Sequence, residues 1–479
     1  MGLEHSRALL LASGVSGRTA QALEQLLEQN QTAVTVDPTV SGALLATRVL
    51  LTTLRRQPGR LVLLRGEMPH PILQKLEEAV AAIDPTRPLQ IVRDWPNERA
   101  IRVHVGADGA GLRALPEGFG GHLVRDRQIR LPAPATVHPL GAIFTAALAA
   151  GEVFKEVAAV LPARRRGHRH LRFCPVSLSA RPGVLDTTLR LDLDLVLFGT
   201  GAVGTGAALI LSESDGEGRI GLVDEQRYAP ENRGTYSLGG QLDVIEAPWK
   251  VDVAKRALEA QYTVTTFPTS VDTFVTDVDR GSAIWPRMVL CALDSREARH
   301  RAQDLWPDVL IDGATGDTAL GLHVARAGEG PCVRCFLPVL DQDGPSVLER
   351  LASITGLPIS SLIHGDELLP DEEVDRLPPA QRALLEPHRG TLKCGLAQAF
   401  GLTSAPNEAG YRPSIPFVSL QAACLMVGRL IALRLGVKSL PNFVQYDALI
   451  GPDRATQEVR PQDQECYCAA RAAVIAQVR

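Results

Sequence analysis

Apolar residues recur along this chain with two periods, and from about residue 191 onward the two periods alternate. Short apolar runs of strand length are followed by stretches with apolar residues at every third or fourth position. Such alternation of strands with amphipathic helices predicts a parallel sheet covered by helices on both faces. The predicted strands are 196–198, 220–223, 288–292 and 309–311, and the predicted helices are 202–211, 251–260 and 295–305.

The first third of the chain shows the same mixture with weaker signals. Helical patterns cover 20–27 and 41–54, and strand-like runs cover 61–64 and 101–105. The second of these runs is followed by Gly106, Gly109 and Gly111, which we interpret as a degraded glycine turn. This part of the chain is therefore also predicted to be α/β.

Two long apolar helices are predicted at 139–157 and 416–435, each near the end of its α/β segment. Aligned without gaps from Pro139 and Pro416, they match at several apolar or small positions, including Gly151 with Gly428. This match favours an internal duplication. With a basic linker at 164–170, it predicts two domains, 1–175 and 176–479. The Pro- and acid-rich segment after Leu340 is predicted to be a loop or a small helical insertion.

Composition limits the classes of function. The 479 residues carry a net charge of −4, so charge gives no case for nucleic-acid binding. No uninterrupted apolar run reaches the ~18 residues of a membrane span, and residues 1–21 lack the layout of a secretion signal. We expect a cytoplasmic protein. Its eight cysteines should then be reduced, so clustered ones indicate metal binding or catalysis.

The segment Leu195 to Gly204 has the pattern of a strand, a G-x-G-x-x-G turn and a helix start. Its glycines are Gly199, Gly201 and Gly204. Glycines allow the backbone to approach a phosphate, and the helix start supplies N–H donors. The next strand ends at Asp224, where a carboxylate suits a ribose hydroxyl. The motif predicts a nucleotide and does not separate NAD from ATP.

The residues after Asp224 occur in an order that resembles the ubiquitin-activating superfamily of adenylyltransferases, which includes the ThiF and MoeB types. The resemblance covers roughly 191–468. It rests on the glycine turn, Asn232, Arg233, Lys250, Asp294, Arg299 and the run 311–316.

This resemblance implies two Rossmann-like adenylation folds, of which the first is degenerate and silent. Four roles follow from it. The glycines would lie under the phosphates of ATP and Asp224 would hold the ribose. Asn232 and Lys250 would contact the phosphates, and Asp294 would hold Mg²⁺. The family usually has an arginine three residues after the asparagine, where this chain has Thr235. Either Arg233 takes over that role or the contact is altered.

Cysteines carry the remaining candidate chemistry. Cys332 and Cys335 form a C-x-x-C pair that suits Zn²⁺, and Cys466 and Cys468 form a second pair. The family has a similar distant four-cysteine zinc site, although usually with C-x-x-C in both halves. Cys394 lies between the first pair and the long helix, in a crossover loop at about 340–412. The resemblance makes it a candidate catalytic cysteine, and the adjacent Lys393 suggests a positive potential that favours the thiolate.

The function implied is ATP-dependent adenylation of the C-terminal carboxylate of a ubiquitin-like protein. Cys394 would then form a thioester and pass the acyl group to a conjugating enzyme. The chain looks like a bacterial activating enzyme of a ubiquitin-like conjugation operon, some of which serve in antiviral defence. It would act as a homodimer or an intramolecular pseudo-dimer. The alternatives are adenylation of a sulfur-carrier protein or a natural-product peptide, an NAD-dependent oxidoreductase, and an inactive scaffold.

Overall fold

The structure is a computed structural model of the chain. The residues it describes are 20–57, 59–95, 100–132, 136–158, 168–181, 185–316, 318–338, 347–362, 367–390, 393, 396, 400, 415–471 and 475.

The first half forms a seven-stranded sheet with the order β3-β2-β1-β4-β5-β6-β7. The strands β1 to β5 are parallel, whereas β6 and β7 run antiparallel to their neighbours. Their bounds are Gln31–Val36 (β1), Arg60–Leu64 (β2), Gln90–Val92 (β3), Ile101–Val105 (β4), Leu112–Glu117 (β5), Gly120–Val124 (β6) and His170–Phe173 (β7).

The second half forms an eight-stranded sheet with the order β10-β9-β8-β11-β12-β13-β14-β15. Here β8 to β12 are parallel, and β13 to β15 are antiparallel to their neighbours. The bounds are Leu191–Phe198 (β8), Gly216–Val223 (β9), Thr263–Phe267 (β10), Met288–Cys291 (β11), Val309–Gly316 (β12), Ala319–Arg326 (β13), Phe443–Asp447 (β14) and Thr456–Glu458 (β15).

The helices cover the faces of both sheets. They are Ala20–Gln29 (α1), Ala43–Arg55 (α2), His70–Ile83 (α3), Pro139–Val157 (α4), Ala202–Glu213 (α5), Gln241–Glu246 (α6), Lys250–Leu258 (α7), Val271–Asp279 (α8), Arg296–Gln303 (α9), Val333–Phe336 (α10), Val347–Thr355 (α11), Ile359–Leu362 (α12), Asp371–Asp375 (α13), Pro379–Leu385 (α14), Pro416–Arg434 (α15) and Tyr467–Ala470 (α16).

The two sheets have the same strand order and directions through their first seven strands. The long helix before the seventh strand is α4 in one half and α15 in the other. In each half this helix packs on the helix that follows the first strand, α2 or α5. The two long helices also pack on each other, and one continuous apolar core spans both halves. The chain is thus mixed α/β with two parallel-dominated sheets, consistent with Rossmann-like folds.

The glycines after β4 do not form the counterpart of the second half's glycine turn, so that interpretation was wrong. The counterpart follows β1, at residues 37–42, because β1 has the place in its sheet that β8 has in the other. Gly106 to Gly111 instead connect β4 directly to the parallel strand β5. Gly111 has φ +88°, and a Cβ there would overlap the Arg102 carbonyl oxygen. This short connection between β4 and β5 therefore requires glycine at position 111.

The segment after Leu340 is helical where it is described. Helices α11 to α14 surround a small apolar core of their own. Its fully buried members include Leu351, Leu357, Leu369 and Leu385. This agrees with the predicted helical insertion.

Among the described residues, α15 alone is long and apolar enough to cross a bilayer. Most of this helix (94% of its most apolar stretch) is buried inside the protein. It packs between α4, α5 and the strands β12 and β13, which accounts for its apolar sequence.

Candidate nucleotide and metal sites

The glycine turn after β8 combines two crowded positions with one open position. Gly199 has φ +82°, and a Cβ there would lie 2.7 Å from the Ala292 carbonyl oxygen. A Cβ on Gly204 would overlap the Gly199 carbonyl oxygen. A Cβ on Gly201 would meet nothing nearer than the Tyr236 hydroxyl, at 3.6 Å. Gly199 and Gly204 therefore shape the turn, and Gly201 leaves space in front of the first N–H groups of α5.

Asp224, directly after β9, is tied to this turn. One carboxylate oxygen accepts hydrogen bonds from the Thr200 N–H at 2.8 Å and the Thr200 hydroxyl at 3.2 Å. The other oxygen accepts from the Gln226 N–H at 2.9 Å. The carboxylate is thereby held at the mouth of the glycine turn.

A loop at 230–240 follows and carries two predicted residues. Asn232 is buried, and its side-chain oxygen accepts from the Ala229 N–H at 2.8 Å. Arg233 is half-buried and donates to the side chain of Gln241. Thr235 is buried, and its hydroxyl donates to the Asn232 carbonyl at 3.4 Å.

Lys250, the first residue of α7, lies close to the same region. Its Nζ donates to the Gln226 side chain at 2.5 Å and lies 5.1 Å from the centre of the Tyr236 ring. Since the Tyr236 hydroxyl also faces Gly201, this tyrosine lies between the lysine and the open part of the turn. A buried ammonium group at this place favours an anion nearby.

Asp294 is exposed just beyond β11, before the N-cap Ser295 of α9. Arg299 supports this turn, since its Nε and Nη2 donate to the Leu293 carbonyl at 3.0 and 2.6 Å. Arg299 also lies 3.3 Å from the buried carboxylate of Asp312. The arginine therefore positions the backbone beside Asp294.

Asp312 in turn bonds the ring of His323 at 2.7 Å. Burial opposes ionisation of Asp312, but Arg299 and His323 hold the pKa of its carboxyl below the usual value. His323 is a buried residue in this cluster and stacks on Phe336 and Phe443.

The order of the second sheet explains why these residues converge. The chain runs outward from β8 to β9 and β10 on one side and from β11 to β12 on the other. Ligands of such sheets bind at this reversal, at the carboxyl ends of the strands. The Gly199 turn and Asp294 follow the two strands that flank the reversal, and Asp224 follows the neighbouring strand.

The four paired cysteines form one cluster. The Sγ atoms of Cys332 and Cys335 are 3.9 Å apart, those of Cys332 and Cys466 are 3.6 Å apart, and those of Cys335 and Cys468 are 3.5 Å apart. All four lie within 4.8 Å of one another. Four thiolates about 2.3 Å from a tetrahedral zinc would be separated by about 3.8 Å. The one-residue spacer of the second pair is thus no obstacle to a four-sulfur site.

The surroundings of the cluster also suit a closed structural site. Cys332 and Cys468 are buried, and the Gln462 amide donates to the sulfur of Cys468 at 3.2 Å. A hydrogen bond from Cys332 lowers the pKa of the Cys335 thiol, whereas the pKa of Cys332 is raised by its hydrogen bond to Cys335 and that of Cys466 by burial. Thiolate character is what a metal ligand requires. The cluster joins α10 to α16, so a metal would tie the C-terminal segment to the second half.

Comparison of the sequence with known families decides the family. The profile of the ThiF family matches residues 188–469, which is more than half of the chain. The chain belongs to the ThiF family. No curated protein matches it in sequence.

Solved structures similar to this ThiF-family chain include E. coli MccB. The complex of MccB with MccA-N7isoASN is 16% identical, with a TM-score of 0.36, over 57% of this chain and 66% of that one. MccB alone is 13% identical, with a TM-score of 0.35, over 57% and 64%. PaaA is 23% identical, with a TM-score of 0.22, over 28% and 41%. This chain thus spans just under two thirds of MccB, and family membership rests on the sequence match.

The ThiF-family match covers every predicted site residue, but Cys394 lies outside the residues that the structure describes. Its neighbour Lys393 is described and corrects one expectation. Lys393 is 2% exposed, and its Nζ pairs with Glu367 at 3.2 Å and with Glu373 at 3.1 Å. Two carboxylates neutralise the ammonium group, so Lys393 gives no free positive potential to a thiolate.

Sequence reasoning missed three residues of the site. Thr200 lies inside the glycine motif, and Gln226 lies two residues beyond Asp224, so their positions were a usable signal. Tyr236 carried none, because its contact with Lys250 depends on how the 230–240 loop folds.

Proposed function

We propose that this protein is an ATP-dependent adenylyltransferase that activates the C-terminal carboxylate of a ubiquitin-like protein. The observation that carries the proposal is the convergence of the Gly199 turn, Asp224 and Asp294 at the reversal of the second sheet. An NAD-dependent oxidoreductase would need the glycine turn and Asp224 but has no use for the exposed Asp294 or the buried Lys250.

Each group has a task in that reaction. The N–H groups at the start of α5, beside Gly201, would bind the phosphates of ATP, and Asp224 would accept from the ribose. Lys250 and Asn232 would contact the phosphates. Thr235 occupies the position where the family usually has an arginine, and Arg233 is the nearest arginine along the chain. Arg233 would therefore contact the same phosphates.

Asp294 would hold Mg²⁺, which neutralises negative charge on the phosphates when bound. An exposed carboxylate is a ligand that this ion prefers. Since Arg299 fixes the Leu293 carbonyl, the turn that presents Asp294 is rigid before ATP arrives.

The chemical step is a displacement at the α-phosphorus of ATP. A carboxylate oxygen of the acceptor forms a bond to that phosphorus, and the bond from the phosphorus to the bridging oxygen of pyrophosphate breaks. The products are an acyl-adenylate and pyrophosphate. Negative charge develops on the phosphate oxygens, where Lys250 and the amides of the glycine turn stabilise it.

A second step on Cys394 is the finer part of the proposal. Its thiolate would attack the acyl carbon and release AMP, and a conjugating enzyme would then receive the acyl group. What supports this is the order of the chain, because Cys394 follows the helical insertion and precedes α15. A role in antiviral defence in a bacterium rests only on the resemblance to activating enzymes of ubiquitin-like conjugation operons. A sulfur-carrier protein or a peptide as acceptor would need the first step only.

The silent role of domain 1–175 is supported by its own turn after β1. The carboxylate of Asp37 occupies the turn, and it accepts from the Thr39 N–H at 3.0 Å and the Thr39 hydroxyl at 2.6 Å. These hydrogen bonds lower the pKa of Asp37. Asp37 follows β1 directly, as Gly199 follows β8, and an ionised carboxylate at that place repels phosphate.

The experiment is ATP–pyrophosphate exchange with small candidate carrier proteins, each with a free or an amidated C-terminus. We expect exchange only with a free carboxylate. Exchange that persists in Cys394→Ala, together with loss of a thiol-sensitive acyl-enzyme band, would support the second step. Absence of exchange with every carrier tested would contradict the proposal.

A further inference from the structure

Two adjacent buried arginines at the end of α2 bind different halves of the molecule. Arg55 is 1% exposed and donates to the carbonyls of Arg87, Gln57 and Gly59, all within the first half. Arg56 is 4% exposed, and its guanidinium donates to carbonyls of the second half.

The carbonyls that accept from the Arg56 guanidinium belong to the 230–240 loop, and the Tyr228 side chain lies beside it. Its Nη1 donates to the Arg233 carbonyl at 2.6 Å, and its Nη2 donates to the carbonyls of Ser237 at 3.0 Å and Gly239 at 3.1 Å. One planar guanidinium therefore holds three points of the loop that carries Asn232 and Arg233. A guanidinium has the fixed fork of donors that such a contact needs, and an ammonium group does not.

The end of the same loop is seated on the first half. A Cβ on Gly240 would overlap the Ala82 carbonyl oxygen, so only glycine lets the loop approach α3 this closely. Gly240 is also the N-cap of α6, where its N–H donates to Asp243 at 2.9 Å. Arg233 reaches this helix through Gln241. The first half thus fixes the backbone of the loop, and Gln241 within the second half directs the Arg233 side chain.

We propose that Arg56 is a positioning residue, through which the domain without a nucleotide site holds the 230–240 loop in the form that receives ATP. This inference rests on the proposed function. Its physical content is that Asn232 and Arg233 are placed before the nucleotide binds, so that ATP does not have to order the loop.

The test compares Arg56→Met with the matched control Arg55→Met. Each removes a buried arginine with three carbonyl partners, and each should lower the melting temperature. Hydrogen–deuterium exchange of the nucleotide-free proteins is followed in peptides that cover 230–246. Affinity for a non-hydrolysable ATP analogue with Mg²⁺ is measured by calorimetry.

In Arg56→Met we expect faster hydrogen–deuterium exchange in residues 230–246. We also expect its affinity for the ATP analogue to be weaker by about tenfold or more. Arg55→Met should match the wild type in both. Equal exchange and equal affinity in the two variants would overturn the inference. Should Arg56→Met fail to fold, Arg56→Lys takes its place, since it keeps the charge but cannot span three carbonyls.

Failure of the proposed function gives a different result. A wild-type protein that does not bind the analogue would contradict adenylation itself. The exchange measurement needs no nucleotide, so it still decides whether Arg56 holds the loop.

Discussion

The ring of Phe154 on α4 packs against the ring of Phe417 on α15, with centroids 5.4 Å apart and the planes at 49°. Both side chains are buried, and Gly151 leaves room for the Phe417 ring, since a Cβ there would lie 3.2 Å from it. The contact joins the equivalent helices of the two halves. The halves therefore share one core.

A double-mutant cycle on Phe154→Ala and Phe417→Ala tests this joint. Each single substitution should lower the free energy of unfolding by about 3–5 kcal/mol, because it leaves a cavity in the core. The rings should also be coupled by about 0.5–1.5 kcal/mol. Urea unfolding of the four proteins measures both values. Strictly additive effects would show that the helices do not depend on this contact.

Substitutions in the glycine turn should separate folding from nucleotide binding. Gly204→Ala forces an overlap with backbone and should cost roughly 1–3 kcal/mol of stability. Gly201→Ala has room for its methyl group, so its free energy of unfolding should equal that of the wild type. That methyl group would occupy the space of a phosphate, and ATP affinity should fall by about tenfold. A calorimetric titration and thermal unfolding of both variants check this. Unchanged ATP affinity in Gly201→Ala would place the phosphates elsewhere.

The cysteine cluster should hold one zinc ion per chain. Cys466→Ala leaves three sulfurs, and we expect it to lose the metal, as measured by elemental mass spectrometry of purified protein. Cys174→Ala is the control, because Cys174 is a buried cysteine that lies outside the cluster. Wild-type protein without metal, or full metal content in Cys466→Ala, would rule the site out.

Acid should destabilise the protein partly through His138, the N-cap of α4. Its Nδ1 accepts from the Leu140 N–H, and burial lowers its pKa from 6.5 to about 4. Between pH 6.5 and about pH 4 the unfolded chain therefore binds more protons at His138 than the folded protein does. The contribution of His138 to the free energy of unfolding is fully present above pH 6.5 and is lost as the pH falls toward 4. The loss from this group is about 3 kcal/mol. In His138→Asn, which keeps a capping acceptor, urea unfolding at pH 7.5 and 5 should show a smaller drop. An identical drop would exclude His138 as the cause.

Structural features that depend on residues close together in the chain could be predicted from local sequence patterns. The predicted helix starting at Pro139 and the strand before Gly199 occur where the periodicity placed them, and the glycine motif marks the turn. The four cysteines also meet, as the family resemblance implied.

Features that depend on distant pairing were out of reach. Gly106 to Gly111 have a turn composition, but only the strand order shows that β4 is not the first strand of its unit. The charge of Lys393 is neutralised by Glu367 and Glu373, which lie 26 and 20 residues away. The contact of Arg56 with the 230–240 loop spans 177 residues at its Arg233 end.

We expect adenylation to take place at the carboxyl ends of the strands of the second sheet. The most direct test is ATP–pyrophosphate exchange by wild type, Asp294→Asn and the control Asp192→Asn, whose exposed carboxylate lies at the other end of β8. With a carrier that supports exchange, Asp294→Asn should lose activity by on the order of 100-fold, and Asp192→Asn should retain it. Equal exchange in all three proteins would contradict the account.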